Sequence, residues 1–327
     1  MKRHQQILAG VLIVQIILSV VTFWPKKAST GTGTLIFPDL KAEAVTALTI
    51  TDETGAKVAL RKTANGWGYA DADDYPALES KITPIIEKLA KLSTGTLVAR
   101  NATSHKQLKV ADDTFVRRIE FTTQDGQTHT VYLGTAPRYT ATHFRIGGQN
   151  ETYLTTELST WELYMSASSW VDTTYTQIDA TKLTEIVLEN ANGVFTLVKD
   201  GDAWKLADLA EGEVMAPGKV NDVVSKATRV MLFKPLGTTE QADYGLAQPL
   251  AVVTLKNADG GVYTLRVGAK YDGSNYAVKS SESSYYVAVT EYNVKPLVEN
   301  TRTSFLQEPT PTPTPTPAAD VTPTPQP

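Results

Sequence analysis

Two pairs of blocks, repeated at nearly one interval, constrain the fold of this chain more than any other feature. VTALTITDETGAKVALRKTANGWGY (Val45–Tyr69) is matched by LTEIVLENANGVFTLVKDGDAWKL (Leu183–Leu206). FTTQDGQTHTVYLGT (Phe121–Thr135) is matched by LKNADGGVYTLRVGA (Leu255–Ala269). The intervals are 138 residues at Val45/Leu183, 137 at Trp67/Trp204 and 134 at Phe121/Leu255. Two independent blocks at one interval point to tandem copies of a single unit.

Within each copy the first block reads as strand, glycine turn (Gly55 or Gly193), second strand, and a further turn before Trp67 or Trp204. The second block reads as a hairpin closed by Asp125-Gly126 or Asp259-Gly260, with Gly134 or Gly268 ending its second strand. Tyr263, Leu265 and Val267 alternate with polar residues, as do Tyr285, Val287 and Val289, which marks strands with one buried face. Between the blocks the period becomes helical. Leu78, Ile82, Ile85, Leu89 and Leu92 step by 4, 3, 4 and 3, and Val220, Val224, Ala227 and Met231 follow Pro217, a residue suited to the first helical position. Pro84 inside the first stripe predicts a kink or a later helix start. Each copy is therefore expected to be α+β, antiparallel strands with a helix covering one sheet face.

The ends differ in kind. Ile7–Trp24 is eighteen residues without a charge, about 27 Å as a helix, flanked by Lys2 and Arg3 before it and Lys26 and Lys27 after it. Phe23-Trp24-Pro25-Lys26-Lys27 is a poor cleavage sequence, so the expectation is a retained N-terminal transmembrane helix rather than a signal peptide. Four of the 31 basic residues flank that stretch, leaving 31 − 4 = 27 against 35 acids beyond it, a charge of −8. An acidic body is repelled by anionic lipid, and with the flanking cations nearly balanced the expected location is a single-pass cell-membrane protein with an extracytoplasmic body. At the other end Pro309–Pro317 alternates Pro and Thr and Val321–Pro327 resumes the pattern, as expected of a disordered, extended tail. The expected layout is membrane anchor 1–27, linker 28–38, repeat 39–171, repeat 172–306 and Pro/Thr-rich tail 307–327.

Several of these residues resemble a known family, the DUF4340 domain. The Trp-ended hairpins (Asn65-Gly66-Trp67 and Asp202-Ala203-Trp204) carry the likeness, with Tyr244-Gly245-Leu246-Ala247-Gln248-Pro249 followed by Val252-Val253-Thr254-Leu255. Leu133-Gly134, Val267-Gly268, Tyr153-Leu154, Tyr285-Tyr286-Val287 and Trp170-Val171-Asp172 fit as well. The resemblance covers about residues 45–305 as two tandem copies, the first more divergent, since His105–Asp112 only weakly echoes Tyr244–Pro249. It implies similarity to extracytoplasmic accessory proteins of gliding-motility-type ABC transport systems, and it implies no catalytic residues.

The search for chemistry narrows the field. With no cysteine, thiolate catalysis, iron–sulfur clusters and zinc ribbons are excluded, and a net charge of −4 argues against nucleic acid as partner. His4, His105, His129 and His143 form no metal-ligand spacing; His129 is expected on a strand and His143 in a loop. Gly212–Val220 has five residues between its first glycine and Gly218, and Pro217 removes an N–H, so it is no phosphate loop. Asp71–Asp74 lacks calcium-loop spacing and reads as helix-start electrostatics. Trp161, Tyr164 and Trp170 fit a helix packing an aromatic stripe or a glycan-stacking platform. No catalytic, cofactor or metal residues are assigned; the aromatics that stand out for interaction or packing are Trp67, Trp161, Trp170 and Trp204. The expected function is a non-enzymatic, membrane-anchored extracytoplasmic accessory or adaptor protein with protein partners in an ABC-type envelope transport system. A cell-envelope module binding glycan or wall polymer is the alternative.

Overall fold

The computed structural model describes residues 33–308 and, ahead of them, Gln15. The expected anchor stretch 7–24 and the Pro/Thr segment 309–327 lie outside the described residues. The chain divides into two compact units, Met1–Asp172 and Thr173–Pro327.

In the first unit, strands β1 (Val45–Asp52), β2 (Lys57–Thr63), β3 (Gly66–Tyr69) and β4 (Tyr75–Pro76) precede helix α1 (Glu79–Ala90). Strands β5 (Leu97–Ala99), β6 (Arg117–Thr123), β7 (Thr128–Leu133), β8 (Thr142–Ile146) and β9 (Thr152–Thr155) follow. They form one sheet in the order β4-β3-β2-β1-β6-β7-β8-β9-β5, antiparallel at every pairing. Ile82, Ile85, Ile86 and Leu89 of α1 bury their side chains in one cluster with Leu48, Ile50, Leu60, Ile119 and Phe121 of the sheet. The helix runs through Pro84, which costs it the single bond that an N–H at that position would make to Ser80.

In the second unit, β10 (Thr174–Gln177), β11 (Leu183–Asn190), β12 (Gly193–Asp200) and β13 (Ala203–Leu206) precede α2 (Pro217–Thr228). Then come β14 (Arg229–Met231), β15 (Lys234–Gly237), β16 (Ala251–Asn257), β17 (Val262–Lys270), β18 (Asn275–Ser280), β19 (Tyr286–Thr290) and α3 (Glu291–Glu299). The main sheet has the order β13-β12-β11-β16-β17-β18-β19-β15, and β10 pairs with β14 in a small second sheet. Apart from the two-residue β4, this is the strand order of the first unit, and it shares two register breaks. Val45 pairs Thr123 with a bulge before Ala47, as Leu183 pairs Asn257 with a bulge before Glu185. Register shifts also recur between Leu97 and Ala99 and between Pro235 and Gly237.

Several expectations are corrected. The expected α+β chain led by an N-terminal transmembrane helix is corrected: the described residues are mostly antiparallel sheet, with no membrane-crossing helix among them. Strands of two to four residues such as β4, β5 and β15 are too short to show alternation in sequence. Among the described residues no helix is long and apolar enough to cross a membrane, and this overturns the single-pass membrane location. The longest of these helices has 12 residues, about 18 Å, against a hydrocarbon thickness of about 30 Å. Met231 lies on β14 because Arg229 turns the backbone extended, ending α2 at Thr228. His143 sits within β8 rather than in a loop. Asp71–Asp74 does not lead straight into α1: Asp71 lies in a 3-10 turn, Ala70–Ala72, β4 intervenes, Asp73 and Asp74 adopt left-handed φ of 52° and 61°, and Asp74 accepts Arg61 Nε at 2.5 Å and Nη2 at 2.7 Å.

Candidate functional site

Where the chain enters the first sheet, Ile36–Leu40 crosses the turn end of the β6–β7 hairpin. The crossing is pinned at several points: Ile36 N–H donates to Leu92 O at 2.8 Å, and Gln124 N–H donates to Ala44 O at 2.8 Å. Lys62 Nζ and Gln124 Nε2 both donate to Glu43 O at 3.2 Å. Between the segment and the hairpin lies a cleft of about 490 Å³, a size suited to a ligand group. Ile36, Phe37, Pro38, Leu40 and Phe121 give it an apolar floor, and Asp39, Thr123, Gln124, Asp125, Gln127 and His129 a polar rim.

Three rings organise that floor. Phe37 meets Phe121 and His129 edge-on, each with centroids 5.2 Å apart, and Phe121 and His129 lie 5.0 Å apart. On the rim, Asp125 Oδ1 accepts the Thr123 hydroxyl at 2.5 Å and the Gln127 N–H at 3.3 Å. The Thr123 hydroxyl, with that backbone N–H, holds the Asp125 carboxyl below the usual carboxylate range, so it is ionised at neutral pH.

The second unit has a cleft at the same place in its topology, about 380 Å³, between Tyr175–Asp179 and the β16–β17 hairpin. Ala258 N–H donates to Lys182 O at 3.2 Å, repeating the Gln124–Ala44 bond. Tyr263 faces Leu255 across its hairpin as His129 faces Phe121, and Asn257 stands where the first unit has Thr123. Tyr175 stands eight residues before β11, as Phe37 stands eight before β1. The lining is different in character. Tyr175 donates its hydroxyl to Tyr285 O at 2.6 Å and accepts from Ser280 N–H at 3.1 Å, and burial pushes its pKa up. Asn257 Nδ2 donates to Tyr263 Oη at 3.3 Å, while Lys182, Asp179 and Glu282 add charge.

None of the four tryptophans singled out by the sequence lines either cleft. Trp67 and Trp170 are buried in the first core, Trp204 in the second. Trp170 donates its indole N–H to Tyr164 O at 2.9 Å, and its own carbonyl accepts Leu78 N–H at 2.7 Å. The expected aromatic-stripe helix is absent: Thr160–Glu162 and Ala167–Ser169 are separate 3-10 turns. Trp161 is 53% exposed and stacks on Tyr139, with centroids 6.0 Å apart and planes 15° apart. Phe37 and His129 are not legible as neighbours in the sequence, where residues 28–38 read as a linker. The only available signal was the matching distance from Phe37 and Tyr175 to the strands that follow.

His105, His143 and Arg145 are tied into the fold. His105 Nε2 lies 2.8 Å from Asn150 O, and His143 Nδ1 lies 2.9 Å from Thr135 Oγ1, with burial pushing the His143 pKa down. Arg145, buried on β8, donates Nε to Val110 O at 2.6 Å and Nη1 to Gln149 O at 3.1 Å, pairs with Asp112, and lies 4.4 Å from the Tyr132 ring centre. Among the described residues no group of three or more His, Asp, Glu or Cys is placed to hold a metal.

Comparison with known proteins finds one family. The model of a domain of unknown function, DUF4340, matches residues 67–233, half of the chain, from Trp67 on β3 to just past β14. No curated protein and no solved structure matches.

Proposed function

The chain belongs to the DUF4340 family, and on that premise we propose that it is a non-enzymatic accessory or adaptor protein of an ABC-type transport assembly. The observation that carries the reading is the pair of clefts at one topological position with different linings, aromatic in the first unit and hydrogen-bonded and charged in the second. A duplicated site whose two versions differ in chemistry suits a protein that holds two different partners. The shared strand order and shared bulges support reading the two units as two copies of the family domain. His105, His143 and the buried Arg145, engaged in fixed structural contacts, favour binding over proton transfer as the role of this surface. The transport assignment itself rests on the likeness of the hairpin and strand-end motifs to gliding-motility-type accessory proteins, which is an analogy of family.

Photo-crosslinking residues placed at Gln127 and at Asp179 test the proposal in cells. Each position is expected to capture a different partner, one of them a permease or ATPase subunit. Capture of neither subunit from either position overturns the adaptor reading. A permease and ATPase pair encoded beside this gene is the expected genomic setting.

A second reading, a module binding glycan or wall polymer, is favoured by one observation: Tyr139 and Trp161 stack in parallel with more than half of each ring exposed. The turn that carries Trp161 is firmly held, since Ser159 and Glu162 form a capping box around Thr160–Glu162 and Glu162 pairs with Lys88. Retention of the protein on isolated wall polymer, lost in Trp161→Ala, supports this reading. Absence of retention removes it.

A further inference from the structure

We infer that the cleft of the first unit receives a cationic group carried on an apolar stem, the arginine or lysine side chain of a partner peptide. The inference rests on the adaptor reading and names the chemistry of one of its two partners. Three features of the cleft converge on it. Its floor, Ile36, Phe37, Leu40 and Phe121, offers apolar and aromatic surface to the methylene stem. Its rim presents the Asp39 and Asp125 carboxylates and the Gln124 and Gln127 amides, with no lysine or arginine among the residues that line it. Phe37, half-buried and packed edge-on with Phe121 and His129, adds an aromatic ring to that lining, a group of the kind that attracts a cation.

The carboxylates alone would not make a site. The cavity does, because it puts negative charge at the mouth of an apolar pocket where a partly desolvated cation gains from both. Asp125 is held in place by Thr123 and by Gln127 N–H through one oxygen, leaving the other directed away from those two bonds. The equivalent cleft in the second unit carries Lys182 in its lining and lacks this one-sided charge. It should not share the preference.

The test measures fluorescence anisotropy of three dye-labelled peptides with the full chain: alternating Leu and Arg, the same with citrulline for Arg, and the same with Glu for Arg. The Arg peptide is expected to bind most tightly and to weaken as salt rises. Asp39→Asn and Asp125→Asn are each expected to weaken it about two- to fivefold. Asparagine at 125 retains an oxygen for the turn bonds, so the hairpin is preserved. Phe37→Leu keeps the apolar volume, removes the ring and should weaken binding similarly, while Glu211→Gln, exposed on the second unit and outside both clefts, should leave it unchanged. Equal binding of the citrulline or Glu peptide overturns the inference, as does wild-type affinity in an Asp39→Asn/Asp125→Asn double variant. If that happens while crosslinking from Gln127 still captures a transport subunit, the ligand chemistry alone is wrong and the adaptor reading stands.

Discussion

Lys109 and Gly245 hold the same left-handed turn in their respective units, with φ of 53° and 64°. Each follows a residue whose carbonyl oxygen presses on a glycine, Gly134 just past β7 or Gly268 near the end of β17: a Cβ on Gly134 would lie 2.0 Å from Leu108 O, and one on Gly268 would lie 2.0 Å from Tyr244 O. The loop into β6 and the loop into β16 are therefore built on one plan, although their sequences barely match. The first tolerates lysine at the turn, whereas in the second a Cβ on Gly245 would come within 2.7 Å of the Ala269 Cβ.

This plan predicts unequal costs. Gly134→Ala and Gly268→Ala should each destabilise the protein by about 3 kcal/mol, because the opposing atom is backbone and cannot rotate away. Gly245→Ala should cost about 2 kcal/mol from the left-handed backbone and the crowding together. Lys109→Ala should change stability by no more than about 0.5 kcal/mol. Chemical denaturation of the four variants decides the order, and a neutral Gly134→Ala would contradict it.

The tryptophans should separate into two classes. Trp204→Ala and Trp170→Ala remove buried rings and are expected to cost about 3–5 kcal/mol each, with Trp170 also leaving the Tyr164 carbonyl without its donor. Trp161→Ala removes a ring already more than half in solvent and should leave the melting temperature nearly unchanged. Thermal melts of the three variants check this, and a large loss in Trp161→Ala would make the Tyr139 stack a structural feature.

Tyr175→Phe isolates a single hydroxyl. It would remove the hydroxyl that both Tyr285 O and Ser280 N–H bond at the edge of the second cleft, at a cost of about 1–2 kcal/mol. Urea denaturation measures it, and an unchanged midpoint would mean that water replaces the hydroxyl without loss.

Acid should weaken the first unit through Asp112. The Arg145 guanidinium holds the Asp112 carboxyl below its ordinary value, so the stabilisation from this pair is present above about pH 4 and is lost as the pH falls through the lower folded value. The exposed carboxylate limits the effect, and Asp112→Asn should cost about 1 kcal/mol at pH 7. That variant should also show a shallower decline of stability between pH 4 and pH 2 than the wild type. Parallel pH profiles for the two proteins would remove the pair from the account.

Hairpins were legible in the sequence and clefts were not. Asp125-Gly126 and Asp259-Gly260 close β6–β7 and β16–β17 with both glycines at positive φ, as their turn chemistry requires. The buried stripe of α1 falls where the spacing of Ile82, Ile85 and Leu89 puts it, and Pro217 opens α2. Met231 looked helical because one apolar residue at the right interval cannot report that the backbone has already turned extended. The uncharged run at 7–24 invited a membrane-spanning reading on composition alone, and no helix among the described residues supports one.

The sequence by itself determined the local units: turns whose glycines need positive φ, strands whose alternation gives one buried face, and helices whose spacing gives a buried stripe. Each of these depends on residues a few positions apart, where backbone sterics and periodicity act directly. Only the tertiary structure decided which distant residues meet. Phe37 lies against Phe121 and His129 because a segment outside any regular element folds back across a hairpin end, and no period in the sequence encodes that approach. The same holds for Trp161 and Trp170, nine positions apart and alike in chemistry. One is buried with its indole N–H satisfied by Tyr164 O and the other stands in solvent, because burial is set by what the rest of the chain places above each ring.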